Sequence, residues 1–556
     1  MSRLEREFLG DMPLTPTASR STIAIDTGTW KYLEPRYEEK LPLCSHACPA
    51  GNDISKMIAL LASGDPVGAV QLLRAANPLP ATLGRVCPHF CERQCNRESF
   101  GGAIAVHMLE RFLGDLPFTP PPTLGDGRKV AVVGAGPAGI TAAYLLALAG
   151  HEVQVFDDKP KPGGYLRTGI PDYRLPKEVL DREIALVEGT GVRFTPNMRV
   201  GRDISFEDLK SSFDAVIVAV GLHAARQLSI PGVNQPHVYD GVELLEQILL
   251  GNAPRLPREV AIIGGGNTAI DVARSLLRLG VKPTIVYRRT EAEMPAIASE
   301  VAEAKQEGVG FHLLAAPTAV VIRRNAIVGL ECSKMRLGAP DQSGRRAPEP
   351  IPNSKFRIPV SGIVLAIGET VDMEFLPKNL QGAKLAGDRN GIFVAGDAST
   401  NEGTVTAAVG SGRRVAAMVD QYLRSGHMAE SEPSLQSLWS RRVNALQVAD
   451  LQQLNPAYFS PELSPKIQKS NGAIPPTTFK EIVKGFDAES ALCEARRCFA
   501  CGTCNGCLNC YYWCPDIAIH GSSPIDLHID ADHCKGCGIC VEECPRGAMA
   551  LKEAGR

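Results

Sequence analysis

The cysteines near the carboxyl end of the chain are spaced for electron-transfer chemistry. They form two runs, each of the pattern C-x2-C-x2-C-x3-C-P. Three thiolates of one run can hold three irons of a [4Fe-4S] cubane, and the fourth ligand then comes from the other run. The predicted ligand sets are Cys504, Cys507, Cys510 and Cys544 for one cluster, and Cys534, Cys537, Cys540 and Cys514 for the other. Structural zinc and disulfides are the alternatives, and the doubled spacing argues against both.

A glycine-rich turn in the middle of the chain predicts a dinucleotide site. The strand-like segment 129–133 leads into Gly134-Ala135-Gly136-Pro137-Ala138-Gly139, and after a helix-like run a second strand ends at Asp157. The first glycine allows a tight turn, the second lets the backbone approach a pyrophosphate, and the third lets helix and strand pack closely. Asp157 can accept hydrogen bonds from ribose hydroxyls, so this turn suits a dinucleotide with a free ribose, such as FAD.

A second turn of the same kind follows about 130 residues later. The strand-like segment 259–263 leads into Gly264-Gly265-Gly266-Asn267-Thr268-Ala269, with alanine at the third glycine position. Where the first copy has an acid, the second has Arg288-Arg289. Arginine can pair with a 2′-phosphate, so the second site favours NADP(H) over NAD(H). The alternative is that the two arginines only solvate a strand end.

A third segment completes the first dinucleotide site. A short buried strand ends in Gly396-Asp397, and a helix rich in small residues begins near Thr404 and Ala407. This arrangement can hold the ribityl or phosphate end of a flavin at a helix N-terminus. Between residues 96 and 492 the only cysteine is Cys332, so dithiol chemistry at the flavin is not expected. We assign no catalytic side chain, because hydride and single-electron transfer need only well-placed cofactors.

Five further cysteines near the amino end indicate another metal centre: Cys44, Cys48, Cys87, Cys91 and Cys95. Amphipathic helix-like segments separate them, the first capped by Asn52 or Asp53 and the second opening at Asp65-Pro66. Thiols brought together by a helical hairpin predict one further [4Fe-4S] cluster. Zinc is the alternative, since a four-thiolate site suits it too.

Several stretches give the chain a specific family resemblance. They are Gly84-Arg-Val-Cys-Pro88, Cys91-Glu92, the first glycine turn, Gly163 to Pro176, Gly264 to Asp271, Tyr287 to Pro295 and Gly396-Asp397. Over residues 40–425 the chain resembles the small subunit of glutamate synthase and the matching half of dihydropyrimidine dehydrogenase. The tail resembles the ferredoxin extension of related NAD(P)H oxidoreductases. The resemblance implies cofactor contacts at Gly164 and Arg174 as well.

The chain departs from this family near its amino end. The family usually has two clusters there, with an extra C-x2-C before the position of Cys44, and this chain has no cysteine in that region. The resemblance therefore implies that one cluster is lost and that the retained one uses Cys48, Cys87, Cys91 and Glu110. Cys44 and Cys95 would then be orphaned, unless one of them replaces the glutamate. Cys493, Cys498 and Cys501 are interpreted as spare thiols.

Composition and length set the remaining expectations. The 556 residues, 44% hydrophobic and 22% charged with a net charge of -2, suit a multidomain globular protein without nucleic-acid or membrane partners. No signal-peptide core occurs in residues 1–13, and the cysteines cluster at ligand spacings, so a cytoplasmic location is expected.

The predicted fold class is α/β. It comprises two Rossmann-like dinucleotide-binding domains, an N-terminal α-helical Fe-S domain and a C-terminal α+β bacterial-type ferredoxin domain. The expected boundaries are 1–120 for the helical domain, 121–250 and 371–425 for the FAD domain, 251–370 for the NAD(P) domain, 426–492 for a linker and 493–556 for the ferredoxin domain. We expect the linker to isolate the last domain, so that its deletion leaves the flavin domains folded.

The predicted function joins these parts. FAD would exchange hydride with NAD(P)(H) and single electrons with the clusters, two at the carboxyl end and one at the amino end. The favoured role is the electron-transfer subunit of a larger iron–sulfur enzyme, of the 2-oxoacid or aldehyde oxidoreductase type. The alternative is a free-standing reductase of ferredoxin or metal ions.

Overall fold

The computed structural model describes residues 28, 31–121, 127–341, 344–376, 391–427, 431–439, 444–469, 476–523 and 526–554. Segment 1–13, on which the signal-peptide expectation was based, lies outside these residues. Within them, no helix is long and apolar enough to cross a membrane. All 17 cysteines of the chain lie in the described part, and none forms a disulfide.

The amino-terminal domain is a small helical bundle preceded by two short strands. Its elements are β1 (Leu33–Tyr37), β2 (Lys40–Pro42), α1 (Leu43–His46), α2 (Ile54–Ala62), α3 (Pro66–Arg74), α4 (Pro80–Val86), α5 (Phe90–Arg93) and α6 (Val106–Asp115). The predicted helix caps are confirmed. The Asp53 side chain accepts a hydrogen bond from Lys56 N–H at the start of α2, and the Asp65 side chain accepts one from Gly68 N–H at the start of α3. Helices α4 and α6 touch closely at Gly84, where a Cβ would lie 2.4 Å from the Arg111 nitrogen.

The first α/β domain follows. Its elements are β3 (Lys129–Val133), α7 (Pro137–Leu148), β4 (Glu152–Phe156), α8 (Tyr165–Thr168), α9 (Lys177–Glu188), β5 (Arg193–Thr195), α10 (Phe206–Ser212), β6 (Ala215–Val218) and β7 (Ala224–Ala225). Strand β3 pairs in parallel with β4 and β6, and β4 pairs with β5. The strands are buried on both faces, which explains their continuous apolar sequences.

The second α/β domain is inserted into the first. Its elements are β8 (Val238–Asp240), α11 (Gly241–Leu249), β9 (Glu259–Ile263), α12 (Asn267–Arg278), β10 (Lys282–Tyr287), α13 (Ala298–Glu307), β11 (Gly310–Leu313), β12 (Ala315–Arg323), β13 (Ala326–Pro340), β14 (Arg346–Ile358) and β15 (Gly362–Leu365). A parallel sheet has the order β11-β10-β9-β15-β8, and β12–β14 form an antiparallel sheet. Because β8 pairs with β15, this domain begins before the expected boundary at residue 250. A three-residue strand is too short to give a pattern in sequence.

The chain then returns to the first domain. Its elements are β16 (Glu369–Thr370), β17 (Ile392–Val394), α14 (Asp397–Thr400) and α15 (Val405–Ser425). Strand β16 pairs with β7 as a two-stranded ribbon where the chain crosses between domains, and β17 joins the first sheet beside β6. Helix α15 lies against α7, and a Cβ on Gly412 would be 2.3 Å from the Ala138 carbonyl oxygen.

The last part of the chain packs back onto the amino-terminal domain. Its elements are β18 (Asn444–Ala449), α16 (Ala488–Arg496), α17 (Asn509–Tyr512), β19 (Ile519–Ser523), β20 (Asp526–Ile529), α18 (Ile539–Glu542) and β21 (Met549–Glu553). Strand β21 pairs with β1 and β18 with β2, while α16 packs on α2 and α6. These contacts contradict the expectation of an isolating linker. The sequence did not reveal them, because pairing between distant backbone segments leaves no periodic pattern in sequence.

Candidate functional site

The first glycine turn leaves the start of α7 open. Gly134 has a φ of +106°, and a Cβ on Gly139 would lie 2.0 Å from the Gly134 carbonyl oxygen. In front of Gly136 there is free space, since a Cβ there would meet nothing within 4 Å, and no side chain caps the helix. The first N–H groups of α7 therefore face an open cavity. This geometry fits the pyrophosphate of a dinucleotide.

Asp157 lies beside this turn at the end of β4. Its carboxylate accepts hydrogen bonds from the backbone N–H groups of Ala135 at 2.6 Å and Lys159 at 2.9 Å. Burial raises the pKa of this carboxyl. Asp157 lines the cavity, so the position predicted to bind a ribose lies where a ribose could reach it.

Asp397 also lines the cavity. Its Oδ1 accepts from Gly403 N–H at 2.8 Å, and burial raises the pKa of its carboxyl. Thr404 caps α15 by accepting from Ala407 N–H at 3.2 Å. Gly396 precedes this pair with a φ of +70°, and a Cβ on it would lie 2.8 Å from Ala138 Cβ. The third segment predicted from sequence therefore borders the cavity beside α7.

The second glycine turn repeats this arrangement at α12. A Cβ on Gly264 would lie 2.0 Å from the Ala366 carbonyl oxygen, whereas one on Gly266 would meet nothing within 4 Å. Ala269 is fully buried, and Asn267 Oδ1 accepts from Ile297 N–H at 2.9 Å. No side chain caps the helix. A second pyrophosphate therefore fits here.

Both turns open into one cavity. Gly136, Gly164, Asp397 and Thr404 line it from the first domain, and Asn267 and Thr268 line it from the second. Val86 and Pro88, the neighbours of Cys87, also line it. Groups bound at the two turns would therefore meet in one space, next to an amino-terminal thiol.

Arg174 lies in the wall of this cavity, but its guanidinium is engaged. It donates to both carboxylate oxygens of Asp271, at 2.9 and 2.7 Å, and lies 3.2 Å from Glu300. These acidic neighbours raise its pKa despite burial. Arg174 therefore ties the first domain to α12 and α13, and the neighbouring Tyr173 ring supports this contact by stacking 3.8 Å from the Arg278 guanidinium.

The two arginines after β10 differ in environment. Arg289 is buried, pairs with Asp341 and donates to the Arg346 carbonyl oxygen at 2.8 Å. Arg288 is exposed and has no ion pair within the described residues. Arg289 thus holds the antiparallel sheet against β10, and the sequence prediction of a 2′-phosphate contact is left to Arg288.

The carboxyl-terminal cysteines converge on two cavities. One is lined by the four cysteines Cys504, Cys507, Cys510 and Cys544, and the other by Cys514, Cys534, Cys537 and Cys540. The structure thus brings each fourth cysteine beside the three of the other run. Tyr37 of β1 also lines the first cavity, and its hydroxyl lies 3.3 Å from Cys510 Sγ. The thiol sets fit two cubanes.

A third group of cysteines surrounds Glu110 in the amino-terminal domain. Burial raises the pKa of Cys48, Cys87 and Cys91. The neighbouring charge of Glu110 further raises the pKa of Cys48 and Cys87, and the charge of Cys48 further raises the pKa of Cys87 and Cys91. Glu110 accepts from Asn52 at 2.9 Å and from Asn77 at 3.0 Å, and burial raises the pKa of its carboxyl to about 8. The four side chains fit the ligand set implied by the family resemblance.

Helix α15 connects this group to the shared cavity. Thr406, in its first turn, donates to Cys87 Sγ at 3.3 Å. One turn further, a Cβ on Gly410 would lie 1.9 Å from the Pro49 carbonyl oxygen, and Arg413 donates to the Gly51 carbonyl oxygen at 2.7 Å. The loop that carries Cys48 therefore rests directly on the helix whose N-terminus faces the cavity.

Glu183 of the first α/β domain contacts α4, the helix that ends just before Cys87. Its carboxylate accepts from the N–H groups of Ala81 and Thr82 at 2.8 and 2.9 Å, at the start of α4. Helix α4 ends at Val86, so the next residue is Cys87. A carboxylate at a helix N-terminus is favourable, and here it fixes the position of the thiol relative to the dinucleotide cavity.

Four further cysteines line one cavity, and the sequence did not predict that they would meet. A separate cavity is lined by Cys44, Cys95, Cys498 and Cys501. Two of these come from the amino-terminal domain, where they were expected to be orphaned, and two from the end of α16, where they were interpreted as spare. The C-x2-C spacing of Cys498 and Cys501 was the only available signal, and it did not reveal their partners.

A histidine pair is the remaining metal-like group in the described part of the chain. His89, Glu92 and His107 offer ligand atoms within 4.8 Å of one another. The two imidazole rings stack at 3.8 Å, and His107 Nδ1 lies 2.7 Å from Glu92 Oε1. Burial lowers the pKa of His89 to about 4. A stacked, hydrogen-bonded pair accounts for this group.

Comparison with known proteins identifies three families along the chain. Residues 128–412 match the family described as pyridine nucleotide-disulphide oxidoreductase. Residues 38–119 match dihydropyrimidine dehydrogenase domain II, 4Fe-4S cluster, and residues 527–550 match the 4Fe-4S binding domain. The chain therefore contains FAD- and NADP-binding folds together with iron–sulfur domains at both ends.

Three curated relatives cover much of the chain. The NADP(+)-dependent formate dehydrogenase subunit beta of Moorella thermoacetica is 36% identical over 82% of this chain and 70% of its own length. The NADPH-Fe(3+) oxidoreductase subunit beta of Geobacter sulfurreducens is 33% identical over 82% and 75%. The glutamate synthase [NADPH] small chain of Halomonas elongata is 33% identical over 69% and 88%.

Proposed function

Because the chain belongs to the pyridine nucleotide-disulphide oxidoreductase family, we propose that it transfers electrons between NADP(H) and iron–sulfur clusters as the electron-transfer subunit of a larger enzyme. The observation that carries this proposal is the single cavity lined by both glycine turns and by the neighbours of Cys87. Dithiol chemistry is not part of it. Between residues 96 and 492 the only cysteine is Cys332, which is buried in β13.

The dinucleotide domains bind and orient the two cofactors. The open N-termini of α7 and α12 would hold the pyrophosphates, Asp157 and Asp397 would accept hydrogen bonds from hydroxyl groups, and Arg288 would pair with the 2′-phosphate. Bound FAD supplies the exchange between two-electron hydride transfer and one-electron transfer. The Arg174–Asp271 contact holds the two domains in fixed positions around the shared cavity. No side chain is required as an acid or base.

The cysteine groups supply the route between this cavity and the far end of the chain. Cys87 adjoins the cavity through Val86 and Pro88. The amino-terminal cluster would be held by Cys48, Cys87, Cys91 and Glu110, and the two carboxyl-terminal clusters by the crossed sets of the ferredoxin-like domain. Single electrons would then leave or enter through that domain.

The carboxyl-terminal domain has features suited to a partner subunit. Tyr512 and Trp513 are 73% and 55% exposed beside Cys514, and Cys537 of the same set is exposed. Exposed aromatic side chains beside a redox centre suit contact with another protein. The names of the Moorella and Halomonas relatives describe a subunit and a small chain. We place this chain in the same role, with a cytoplasmic catalytic subunit of the 2-oxoacid, aldehyde or formate oxidising type as its partner.

The Geobacter relative supports a second candidate function. Its name describes an NADPH-Fe(3+) oxidoreductase subunit, so ferric iron or a soluble ferredoxin is the alternative acceptor. In that case the chain would turn over at full rate without a tightly bound catalytic partner.

The experiment compares three acceptors under anaerobic conditions in wild type and Cys537→Ala. NADPH should bleach the flavin at the same rate in both proteins, because hydride transfer needs only the dinucleotide domains. Reduction of a bacterial two-cluster ferredoxin, used as the protein acceptor, should fall to near background in the variant, while a small dye that reaches the flavin directly is still reduced. Full-rate ferredoxin reduction by the variant would contradict exit through the carboxyl-terminal domain. Rapid ferric citrate reduction by the isolated wild type would favour the second function.

A further inference from the structure

We propose that the protein holds a fourth [4Fe-4S] cluster between its two iron–sulfur domains, with the ligands Cys44, Cys95, Cys498 and Cys501. These four thiols line one cavity. Cys44 and Cys95 come from the amino-terminal domain, and the Cys498-x2-Cys501 pair reaches the same cavity from the other end of the chain. The ligand set stands independently of the proposed function, on which only the role of the cluster rests.

The backbone around Cys498 and Cys501 has the same shape as the two loops of the ferredoxin-like domain. In each C-x2-C, the residue before the second cysteine has a positive φ: Ala500 at 50°, Gly506 at 74° and Gly536 at 74°. The residue after the second cysteine does too: Gly502 at 72°, Leu508 at 65° and Gly538 at 80°. An alanine in this region is uncommon and disfavoured. Its presence indicates that the surrounding structure imposes the loop.

Hydrogen bonds to sulfur repeat in the same three loops. Ala500 N–H donates to Cys498 Sγ at 3.4 Å, and Gly506 and Gly536 donate in the same way to Cys504 and Cys534. Asn96 adds a side-chain donor, with Nδ2 3.3 Å from Cys501 Sγ. Donors around the sulfurs are typical of iron–sulfur sites, where they tune the cluster potential. A spare thiol pair needs none of them.

A buried ion pair holds the second loop in place. Glu494 and Arg497 are both buried and paired at 2.8 Å. Glu494 accepts from Ala105 N–H at 2.7 Å, and Arg497 donates to the carbonyl oxygens of Gly101 and Gly102 at 2.7 and 2.9 Å. These contacts fasten the end of α16 to the segment that follows Cys95. The two halves of the ligand set are therefore fixed to each other before any metal binds.

The spacing of the thiols favours a cluster over a single zinc ion. Among the described residues, no three thiols have their sulfurs within 4.8 Å of one another. Tetrahedral zinc, with Zn–S distances of about 2.3 Å, brings its sulfurs to within about 3.8 Å. A cubane holds its thiolates further apart, because each binds a different iron. The carboxyl-terminal sets show the same wide spacing.

The position of this site gives it a role in the proposed function. Cys44 in α1 lies near Cys91 in α5 on one side, because these two helices pack against each other, and Cys501 is three residues from Cys504 on the other. The cluster would take one electron from the amino-terminal cluster and pass one to the ferredoxin-like domain, with no proton or bond transferred.

The test counts iron and spectroscopic signals in two double variants, Cys44→Ala/Cys95→Ala and Cys498→Ala/Cys501→Ala. The anaerobically purified wild type should contain about 16 iron atoms per chain, from four clusters of four. Each double variant should contain about 12 and should lose the same electron paramagnetic resonance signal from the reduced protein. The quadruple variant should lose no more than either double variant. Cys493→Ala, at an exposed position on α16 outside the three cysteine-lined cavities and the Glu110 group, is the matched control and should keep about 16.

Three results would overturn the proposal: wild-type iron near 12, different signals lost in the two double variants, or a quadruple variant near 8. FAD content and the rate of flavin bleaching by NADPH are measured on every sample. Retained FAD shows that the dinucleotide domains are folded, and the single variants Cys95→Ser and Cys498→Ser replace any double variant that loses it. Failure of NADPH to bleach the wild-type flavin would contradict the proposed function while leaving the ligand set standing.

Discussion

Adjacent arginines at the end of β10 have different roles although their sequence context is the same. Arg289 satisfies Asp341 and the Arg346 carbonyl oxygen inside the protein, whereas Arg288 points to solvent. A guanidinium already paired with a carboxylate is a poor ligand for a phosphate, because binding would break the existing contact. We therefore expect Arg288 alone, rather than both arginines, to bind the 2′-phosphate.

Arg288→Gln should weaken NADPH binding while leaving NADH binding nearly unchanged. Loss of a charge-assisted contact costs about 1.5–3 kcal/mol, which corresponds to a roughly 10- to 150-fold effect. Arg289→Gln is the comparison, and it should lower thermal stability and impair both nucleotides to a similar degree. Binding is measured by titration of the oxidised protein with NADP+ and NAD+. Equal losses for the two nucleotides in Arg288→Gln would show that this residue does not read the 2′-phosphate.

The sequence left three candidates for the fourth ligand of the amino-terminal cluster, namely Glu110, Cys44 and Cys95. With Cys44 and Cys95 directed to another cavity, Glu110 is the remaining candidate beside Cys48, Cys87 and Cys91. Two amide donors, from Asn52 and Asn77, hold its carboxylate in the protein interior. A buried carboxylate needs such partners, and a metal would supply a further one.

Helix α15 is the element that joins the flavin site to the amino-terminal iron–sulfur site. Its first turn faces the dinucleotide cavity through Thr404 and touches Cys87 through Thr406, and its next turn supports the Cys48 loop at Gly410. The glycine is required there because the Pro49 carbonyl oxygen occupies the place of a side chain. Small residues in this helix are therefore a consequence of close packing on two sides, against α7 and against the cysteine loop.

Gly410→Ala should destabilise the protein, although alanine in a helix interior is favoured over glycine by about 1 kcal/mol. The new Cβ would lie 1.9 Å from the Pro49 carbonyl oxygen, and such overpacking costs about 1–3 kcal/mol. We expect a lower thermal midpoint and a loss of about four iron atoms from the displaced amino-terminal site. Gln421→Ala, at an exposed position of the same helix, is the matched control. A midpoint equal to or above wild type would contradict the close contact.

The two ends of the chain are assembled into one iron–sulfur unit. Strand β1 pairs with β21, β2 pairs with β18, and α16 lies on α2 and α6. Deletion of residues 493–556 would therefore remove Glu494 and Arg497 and leave the buried Ala105 N–H without its partner. The expected truncation experiment would damage the amino-terminal domain, so point variants are the better test of the electron route.

A nicked protein tests this assembly. If a protease site is engineered into segment 470–475 and cut, the two fragments should elute together under native conditions, because the contacts between the ends survive the cut. Arg497→Ala should promote their separation, since loss of one partner of a buried ion pair costs about 3–5 kcal/mol. The neighbouring exposed Arg496→Ala should have no effect. Separation of the fragments in the otherwise unaltered protein would show that the carboxyl-terminal domain is held only by its linker.

The sequence by itself determined the features that depend on local spacing. The crossed cysteine runs, both glycine turns with their following strands, the Asp157 and Asp397 positions and the helix caps at Asp53 and Asp65 all occupy short segments in which each residue type serves its neighbours. The cofactors, FAD, NADP(H) and [4Fe-4S], followed from these segments. The number of [4Fe-4S] clusters could not be predicted, because a C-x2-C pair supplies only two of the four ligands of a cluster.

Only the tertiary structure decided which distant segments meet. Cys498 and Cys501 line the same cavity as Cys44 and Cys95, and the two ends of the chain pair with each other. Arg289 is buried whereas Arg288 is exposed, and Arg174 binds Asp271. Asn96 and Cys501 are 405 positions apart, and no periodicity or spacing records such a contact. The physical reason is that burial and backbone pairing act between surfaces, and a surface exists only after the chain has folded.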